Sequence, residues 1–321
     1  MPAGSRILVV RFGALGDVVL VTPLLRALRR RLPDAHVTMV TRREFAEVVE
    51  RHPGVNSVMC REGGEPLGQL AARLAGEPFD VGLDLQRSLA SRYLRARVPA
   101  RAWGLTDKAR LPRLQLVWTG RTTHTPASAA RRYFAAARGL GVEPDGASPN
   151  VVITEADREE AAERAPAGCI ALGPGSTWAS KRWPPERWRA LAMQLQDRGA
   201  AVVALGTARE RVLLEGPGIV PAYGLRLRVA AAILARARVA VVHDSGLMHL
   251  AAAVGTPTVV LLGPTVAALG FLPEGANVRV IQRSLLCRPC SSIGSDHCPL
   301  GHHRCMIEID PAAVAAAVMA A

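Results

Sequence analysis

The stretch Val239-Ala-Val-Val-His243-Asp-Ser-Gly-Leu-Met-His249-Leu-Ala-Ala-Ala253, continued by Thr258-Val-Val-Leu-Leu262 and Gly263-Pro-Thr265, decides the fold. An apolar run meets a polar turn, then an Ala-rich amphipathic segment, a second apolar run and a second turn. That order is strand, turn, helix, strand, the βαβ unit of a parallel sheet. Asp244, Ser245 and Gly246 stand at the start of the helix, where unpaired N–H groups and the positive end of the dipole suit a phosphate. His249 lies three or four residues further on, on the face that looks back at the turn. Asp and Ser are also ordinary N-cap residues, and an isolated helical His is usually structural. The ligand reading therefore needs a second turn of the same kind.

Ile170-Ala-Leu-Gly173-Pro-Gly-Ser176-Thr177-Trp-Ala-Ser-Lys181-Arg-Trp-Pro184-Pro185 supplies it. A short apolar strand again runs into a glycine turn, Ser176 and Thr177 bring hydroxyls, and the two prolines start the next helix. Lys181 and Lys108 are the only lysines among 40 basic residues. A lysine kept where arginine is the rule suggests a compact ammonium on a phosphate oxygen.

The same alternation runs through the chain. Strands are expected at Ile7–Arg11, His36–Thr41, Val55–Cys60 and Val81–Leu85, with helices at Asp17–Arg31, Glu44–Arg51 and Gly68–Ala75. After a Gly- and Pro-rich linker at Gly139–Pro149, further strands are expected at Ile170–Leu172, Ala201–Leu205, Val239–Val242 and Val259–Leu262. Helices follow at Pro185–Arg198, Arg209–Glu215, Arg228–Arg236 and Pro311–Ala321. The expected fold class is α/β, with two doubly wound Rossmann-like domains, residues 1–148 and 149–321, facing a cleft. Ligands of such sheets bind at the carboxyl ends of strands. Arg11-Phe-Gly13-Ala-Leu-Gly16-Asp17 follows the first strand there; Asp17 is an N-cap or, at a ligand site, a general base. Arg11, Asp84 and Arg87, also at strand ends, are weaker candidates for binding an acceptor, with surface salt bridging as the alternative.

A net charge of +13 invites an anionic partner, and the densest cluster is Arg26, Arg29, Arg30 and Arg31 on the first long helix. No nucleic-acid module accompanies it, so the charge is read as attraction to an anionic acceptor or lipid face, or as solvated surface. No apolar run is long enough for a membrane span, and a strand begins almost at the N-terminus with no signal sequence before it. A cytoplasmic protein is expected, whose cysteines are thiols or metal ligands. Gly13 and Gly16 do not have the spacing of a dinucleotide fingerprint, which argues against a nicotinamide oxidoreductase.

Taken together, Gly13-Ala-Leu-Gly-Asp17 with Thr22-Pro-Leu-Leu25, Gly173-Pro-Gly-Ser-Thr-Trp-Ala-Ser-Lys181-Arg-Trp-Pro184, Asp244-Ser-Gly-Leu-Met-His249-Leu-Ala-Ala-Ala253 and Cys287-Arg-Pro-Cys290 resemble glycosyltransferase family 9, the ADP-heptose:lipopolysaccharide heptosyltransferases. The resemblance spans nearly the whole chain, in order. It implies the GT-B architecture, with the acceptor taken by the N-terminal domain and the nucleotide-sugar by the C-terminal domain, and a reaction that inverts the anomeric centre. It implies Asp17 as general base and Lys181, Ser176 and Thr177 on the donor diphosphate. It further implies Ser245 and Gly246 N–H groups as an anion site, Asp244 ordering their turn, His249 reaching a phosphate and Leu225 lining the adenine pocket. The donor would be ADP-heptose and the acceptor an anionic lipopolysaccharide precursor at the inner membrane surface, with the protein peripheral there and no nucleic-acid partner. A related nucleotide-sugar or another envelope glycan is the alternative, because Ala208 stands where some members carry a ribose-binding acid; Glu210 is the nearby substitute. No Asp-x-Asp pair lies near these turns, so no cofactor is expected for catalysis. Cys287, Cys290, Cys298 and Cys305, within a loop at about 287–305, have the number and closeness for a structural tetrahedral zinc, with a reduced, packed loop as the alternative.

Overall fold

The computed structural model describes residues 4–121, 126–273 and 277–321. The chain divides into two units, Met1–Lys108 with Ala127–Val152, and Ala109–Pro126 with Ile153–Ala321. The first unit carries β1 (Arg6–Val10), α1 (Leu15–Val19), α2 (Thr22–Arg31), β2 (His36–Arg42), β3 (Ser57–Arg61), α3 (Leu67–Ala75), β4 (Phe79–Asp84), α4 (Leu89–Arg97) and β5 (Ala100–Leu105). Its five strands are parallel in the order β3-β2-β1-β4-β5. The chain then forms α5 (Arg110–Thr119), α6 (Ala129–Phe134) and α7 (Glu155–Arg164), of which α5 and α7 belong to the second unit.

The second unit continues with β6 (Ile170–Gly173), α8 (Pro185–Gln196), β7 (Val202–Gly206), β8 (Ile219–Tyr223), α9 (Leu227–Arg236), β9 (Val239–His243), α10 (Gly246–Ala253), β10 (Thr258–Leu262), β11 (Val278–Gln282), α11 (Arg304–Ile307) and α12 (Pro311–Met319). Its six strands are parallel in the order β8-β7-β6-β9-β10-β11, the doubly wound dinucleotide-fold order. Strands covered on both faces read as unbroken apolar runs, and β9 and β10 are buried at every position. Ile170, Leu172, Val241, Val259 and Leu261 meet Trp183, Trp188 and Met306 in this core. Leu8, Val10, Val40, Leu70 and Leu94 form the core of the first unit. Among the described residues no helix is long and apolar enough to cross a membrane.

Three expectations are corrected. The helix expected over Asp17–Arg31 is two helices, because Pro23 lacks the N–H to continue the first and starts the second instead. Residues 109–126 group with the second unit rather than the first: Arg113 Nε on α5 donates to Leu269 O at 3.0 Å, and its guanidinium lies 4.1 Å from the Phe271 ring centre. Finally, the arginine cluster of α2 is internal fastening. Arg26 Nε donates to Asp145 Oδ2 at 2.7 Å and Arg26 Nη1 to Asn150 Oδ1 at 2.6 Å, while Arg30 lies 3.2 Å from Asp145. Arg29 donates to Pro33 O, Ala35 O and Asn56 Oδ1. The Gly- and Pro-rich segment around 139–149 is thus strapped to α2.

The Arg26 hydrogen bond draws the Asp145 carboxyl down to about 2. A folded-state pKa below the unfolded one stabilises fully above about pH 4, and the stabilisation is lost as pH falls toward 2. Asp145→Asn should lower stability by about 1–2 kcal/mol at neutral pH. Denaturant unfolding from pH 7 to pH 2.5 should show the gap to wild type closing at the acid end; a constant gap refutes the assignment.

Candidate active site

In the second unit the strand order reverses between β6 and β9, and the turns leaving their carboxyl ends carry the candidate residues. Lys181 Nζ donates to Asp244 Oδ2 at 2.7 Å and to Asp244 O at 3.2 Å. Thr265, after β10, donates its hydroxyl to the same Oδ2 at 2.9 Å. One carboxylate therefore ties together turns from three strands, and Lys181 and Thr265 are buried. Two of the three ammonium protons are committed to Asp244, leaving one for a ligand. Ser245 holds the N-cap position of α10 but its side chain makes no cap bond. Its Oγ is buried without a hydrogen-bond partner among the described residues. A buried unpaired hydroxyl beside the first N–H groups of a helix is suited to an incoming acceptor such as a phosphate oxygen.

His243 is the residue here that sequence reasoning passed over. It is fully buried, and burial pushes its imidazole down to about 4, so it is neutral. Nδ1 lies 3.2 Å from Gly175 O and Nε2 accepts the Trp183 N–H at 2.9 Å. This fixes the tautomer with the proton on Nδ1 and pins both ends of the glycine turn that carries Ser176 and Lys181. Its signal was present: a His ending an otherwise aliphatic strand needs polar partners inside the core. Trp188 packs edge-on at 5.3 Å from His243 and Trp183 at 5.2 Å from Trp188, so both tryptophans serve packing.

Ser176 is buried and Thr177 exposed. A Cβ at Gly175 would lie 2.0 Å from Glu210 Oε1, and Glu210 Oε2 accepts the Thr207 N–H at 2.8 Å. The Glu210 carboxylate thus borders the glycine turn, whereas Ala208 faces Gly224. His249 is buried on α10, and Leu225 is half-buried between β8 and α9. Among the described residues no three His, Cys, Asp or Glu side chains are grouped as metal ligands, and structural zinc at Cys287, Cys290, Cys298 and Cys305 stays a proposal. Cys305 is a buried thiol beside Met306 and Ile309, pushed up to about 11 by burial. Cys287 Sγ stands 3.9 Å from His302 Nε2.

In the first unit the order reverses between β1 and β4. Asp17 sits at the third position of α1, where Oδ2 accepts the Ala14 N–H at 3.3 Å. The same oxygen pairs with Arg11 Nη2, and Oδ1 accepts the Tyr133 hydroxyl at 3.1 Å. Burial above all raises the Tyr133 phenol and keeps it a donor. Tyr133, more than a hundred residues away in sequence, was not legible as a site residue. Arg11 also donates to Leu85 O at 2.7 Å. Asp84 is corrected: it is fully buried, Oδ1 accepts the Gln86 and Arg87 N–H groups, and Oδ2 accepts Ser91 Oγ and faces Arg95. It orders its own turn and has no side left for an acceptor. Arg87 is exposed and donates to Thr106 O at 3.0 Å. At the ends of β2 and β3, Arg42, Arg43 and Arg61 line a depression of about 470 Å³ with Glu44 and Glu62, another feature the sequence did not single out.

Two Rossmann-type parallel sheets with polar turns at their switch points define the class, a GT-B α/β fold. The family model of glycosyltransferase family 9 (heptosyltransferase) matches residues 67–299, and the chain belongs to that family. It is 31% identical to lipopolysaccharide heptosyltransferase 1 of Pseudomonas aeruginosa, over 81% of this chain and 79% of that one. The crystal structure of a family 9 glycosyl transferase from Veillonella parvula superposes with a TM-score of 0.81 at 24% identity, covering 100% of this chain and 98% of that one. The E. coli ADP-heptose lps heptosyltransferase II superposes with a TM-score of 0.76 at 24% identity, covering 98% of each chain. The chain is therefore a glycosyltransferase enzyme.

His243→Ala removes a partner from the Trp183 N–H and from Gly175 O, and should cost about 1–3 kcal/mol. His243→Gln, which can both accept and donate, should recover much of it in denaturant unfolding. Equal losses in the two variants would show that ring packing, not hydrogen bonding, is what His243 supplies.

Proposed function

We propose that this glycosyltransferase moves a heptose from ADP-heptose to the inner core of lipopolysaccharide, with inversion at the anomeric carbon. The observation that carries the donor half is the buried Lys181–Asp244 pair beside the unpaired Ser245 Oγ and the α10 N-terminus. Lys181, Ser245 and the N–H groups from Gly246 onward would bind the diphosphate, with Ser176 and Thr177 adding hydroxyls and His249 a ring nitrogen. Leu225 would line the adenine and Glu210 take a ribose hydroxyl. The names of the relatives, a lipopolysaccharide heptosyltransferase and an ADP-heptose enzyme, support the substrates.

Asp17 would take the proton of the acceptor hydroxyl as its oxygen attacks the anomeric carbon and the bond to the diphosphate breaks. ADP leaves with the bonding pair, its growing charge met by Lys181 and the helix end, the kind of fixed electrostatics that carries most transition-state stabilisation. No metal enters this scheme. Arg11 orients the base, and Arg42, Arg61 and Arg87 offer cations to an anionic acceptor. Because such an acceptor is lipid-linked, the enzyme would work peripherally at the cytoplasmic face of the inner membrane.

Calorimetric titration without metal should show ADP bound in preference to GDP and UDP, and bound more weakly by Lys181→Ala. Asp17→Asn should keep ADP affinity while turnover falls by about 10²–10⁴-fold. Preference for another nucleotide removes ADP-heptose as donor; normal turnover by Asp17→Asn removes Asp17 as base.

A further inference from the structure

We propose that the outer face of α5 is a docking surface for an anionic lipid bilayer. Leu111, Leu114 and Trp118 recur at i, i+3 and i+7, so they share one side of the helix. Their exposures are 80%, 44% and 77%, and with Pro112, Gln115 and Thr119 they line an open depression of about 610 Å³. The opposite side is the attachment. Leu116 is buried there, and Arg113 reaches Leu269 O and Phe271. An amphipathic helix anchored on one side with large apolar side chains in water on the other has a face without a partner.

Charge selects the occupant. From Ala109 to Arg121 the chain contains no Asp or Glu, while Arg110, Arg113 and Arg121 fall in that span. Arg110 and Arg121 are exposed at the two ends of α5. A second copy meeting this face would oppose cation to cation. Three apolar side chains also fall well short of the roughly 800 Å² per partner of a stable protein interface. An anionic leaflet removes both objections, since its headgroups attract the arginines while its acyl boundary accepts the leucines. Trp118 suits that boundary, where an amphipathic ring sits at headgroup level. A ten-residue helix about 15 Å long lies in the interface plane and cannot span it. The inference stands on this surface alone and is independent of the sugar transferred.

The test is flotation of the full-length protein with vesicles of equimolar phosphatidylglycerol and phosphatidylcholine, against vesicles of phosphatidylcholine alone. Wild type should partition roughly tenfold or more in favour of the anionic vesicles, and less as salt rises. The double variant Leu111→Ser with Trp118→Ser should lose about tenfold in partitioning while its melting temperature and ADP affinity stay unchanged. Brominated lipid should quench a tryptophan signal that Trp118→Phe removes. Flotation of the double variant like wild type, absence of wild-type flotation on anionic vesicles, or a dimer dissolved by the double variant would each overturn the proposal. Because ADP affinity is read separately, failure here is distinguishable from failure of the donor-site reading.

Discussion

Reversal of strand order at the centre of a parallel sheet is the constraint from which the rest follows. When the connections from two neighbouring strands leave toward opposite faces, their carboxyl ends are left uncovered by helices and the turns there are free to carry chemistry. In the second unit those strands are β6 and β9, whose register sets Gly173 beside Val242. The glycine turn and the Asp244 turn consequently emerge side by side. Asp244 then does for the turns what hydrogen bonds do for the strands: Lys181 from one side and Thr265 from the other converge on one oxygen. Removing a member of a buried pair leaves an uncompensated charge, so this arrangement is fixed before any ligand arrives. What remains unpaired in it, Ser245 Oγ, is the part left for a ligand.

The first unit repeats the reversal with the opposite polarity. Where the second presents an ammonium and a helix end, the first presents a carboxylate, held by Arg11, by Tyr133 and by the Ala14 N–H. These contacts leave its oxygens little rotational freedom. For a base that acts on a weakly acidic hydroxyl, proton affinity counts less than alignment with the attacking oxygen, since a misplacement of an ångström costs more rate than a unit of pKa.

Legibility followed sequence distance. Strand β9 and the turns at 173–181 and 244–246 were readable because aliphatic runs ending in Gly, Ser and Asp are local patterns. The edge strands β5, β8 and β11 were not, because Arg101, Pro221 and Arg279 break their apolar runs at the sheet margin, where one side needs no partner. Tyr133 and Asp84 failed in opposite ways. Tyr133 meets Asp17 through tertiary packing alone, which no periodicity encodes. Asp84 looks available in the sequence, and only the fold reveals that Gln86, Arg87 and Ser91 occupy its oxygens.

Net charge is a further quantity that a sequence gives without an address. Arg26 and Arg30 look like the strongest anion-binding feature of the chain, yet they hold Asp145, and Arg29 caps backbone carbonyls. Asp145 thereby offsets part of their charge. Residues 109–121 form a segment without acids of its own. There Arg110 and Arg121 flank exposed leucine and tryptophan. A surface that combines cationic ends with apolar side chains gains little from water or from a second cationic protein. Its complement is a phase that is itself anionic outside and apolar within.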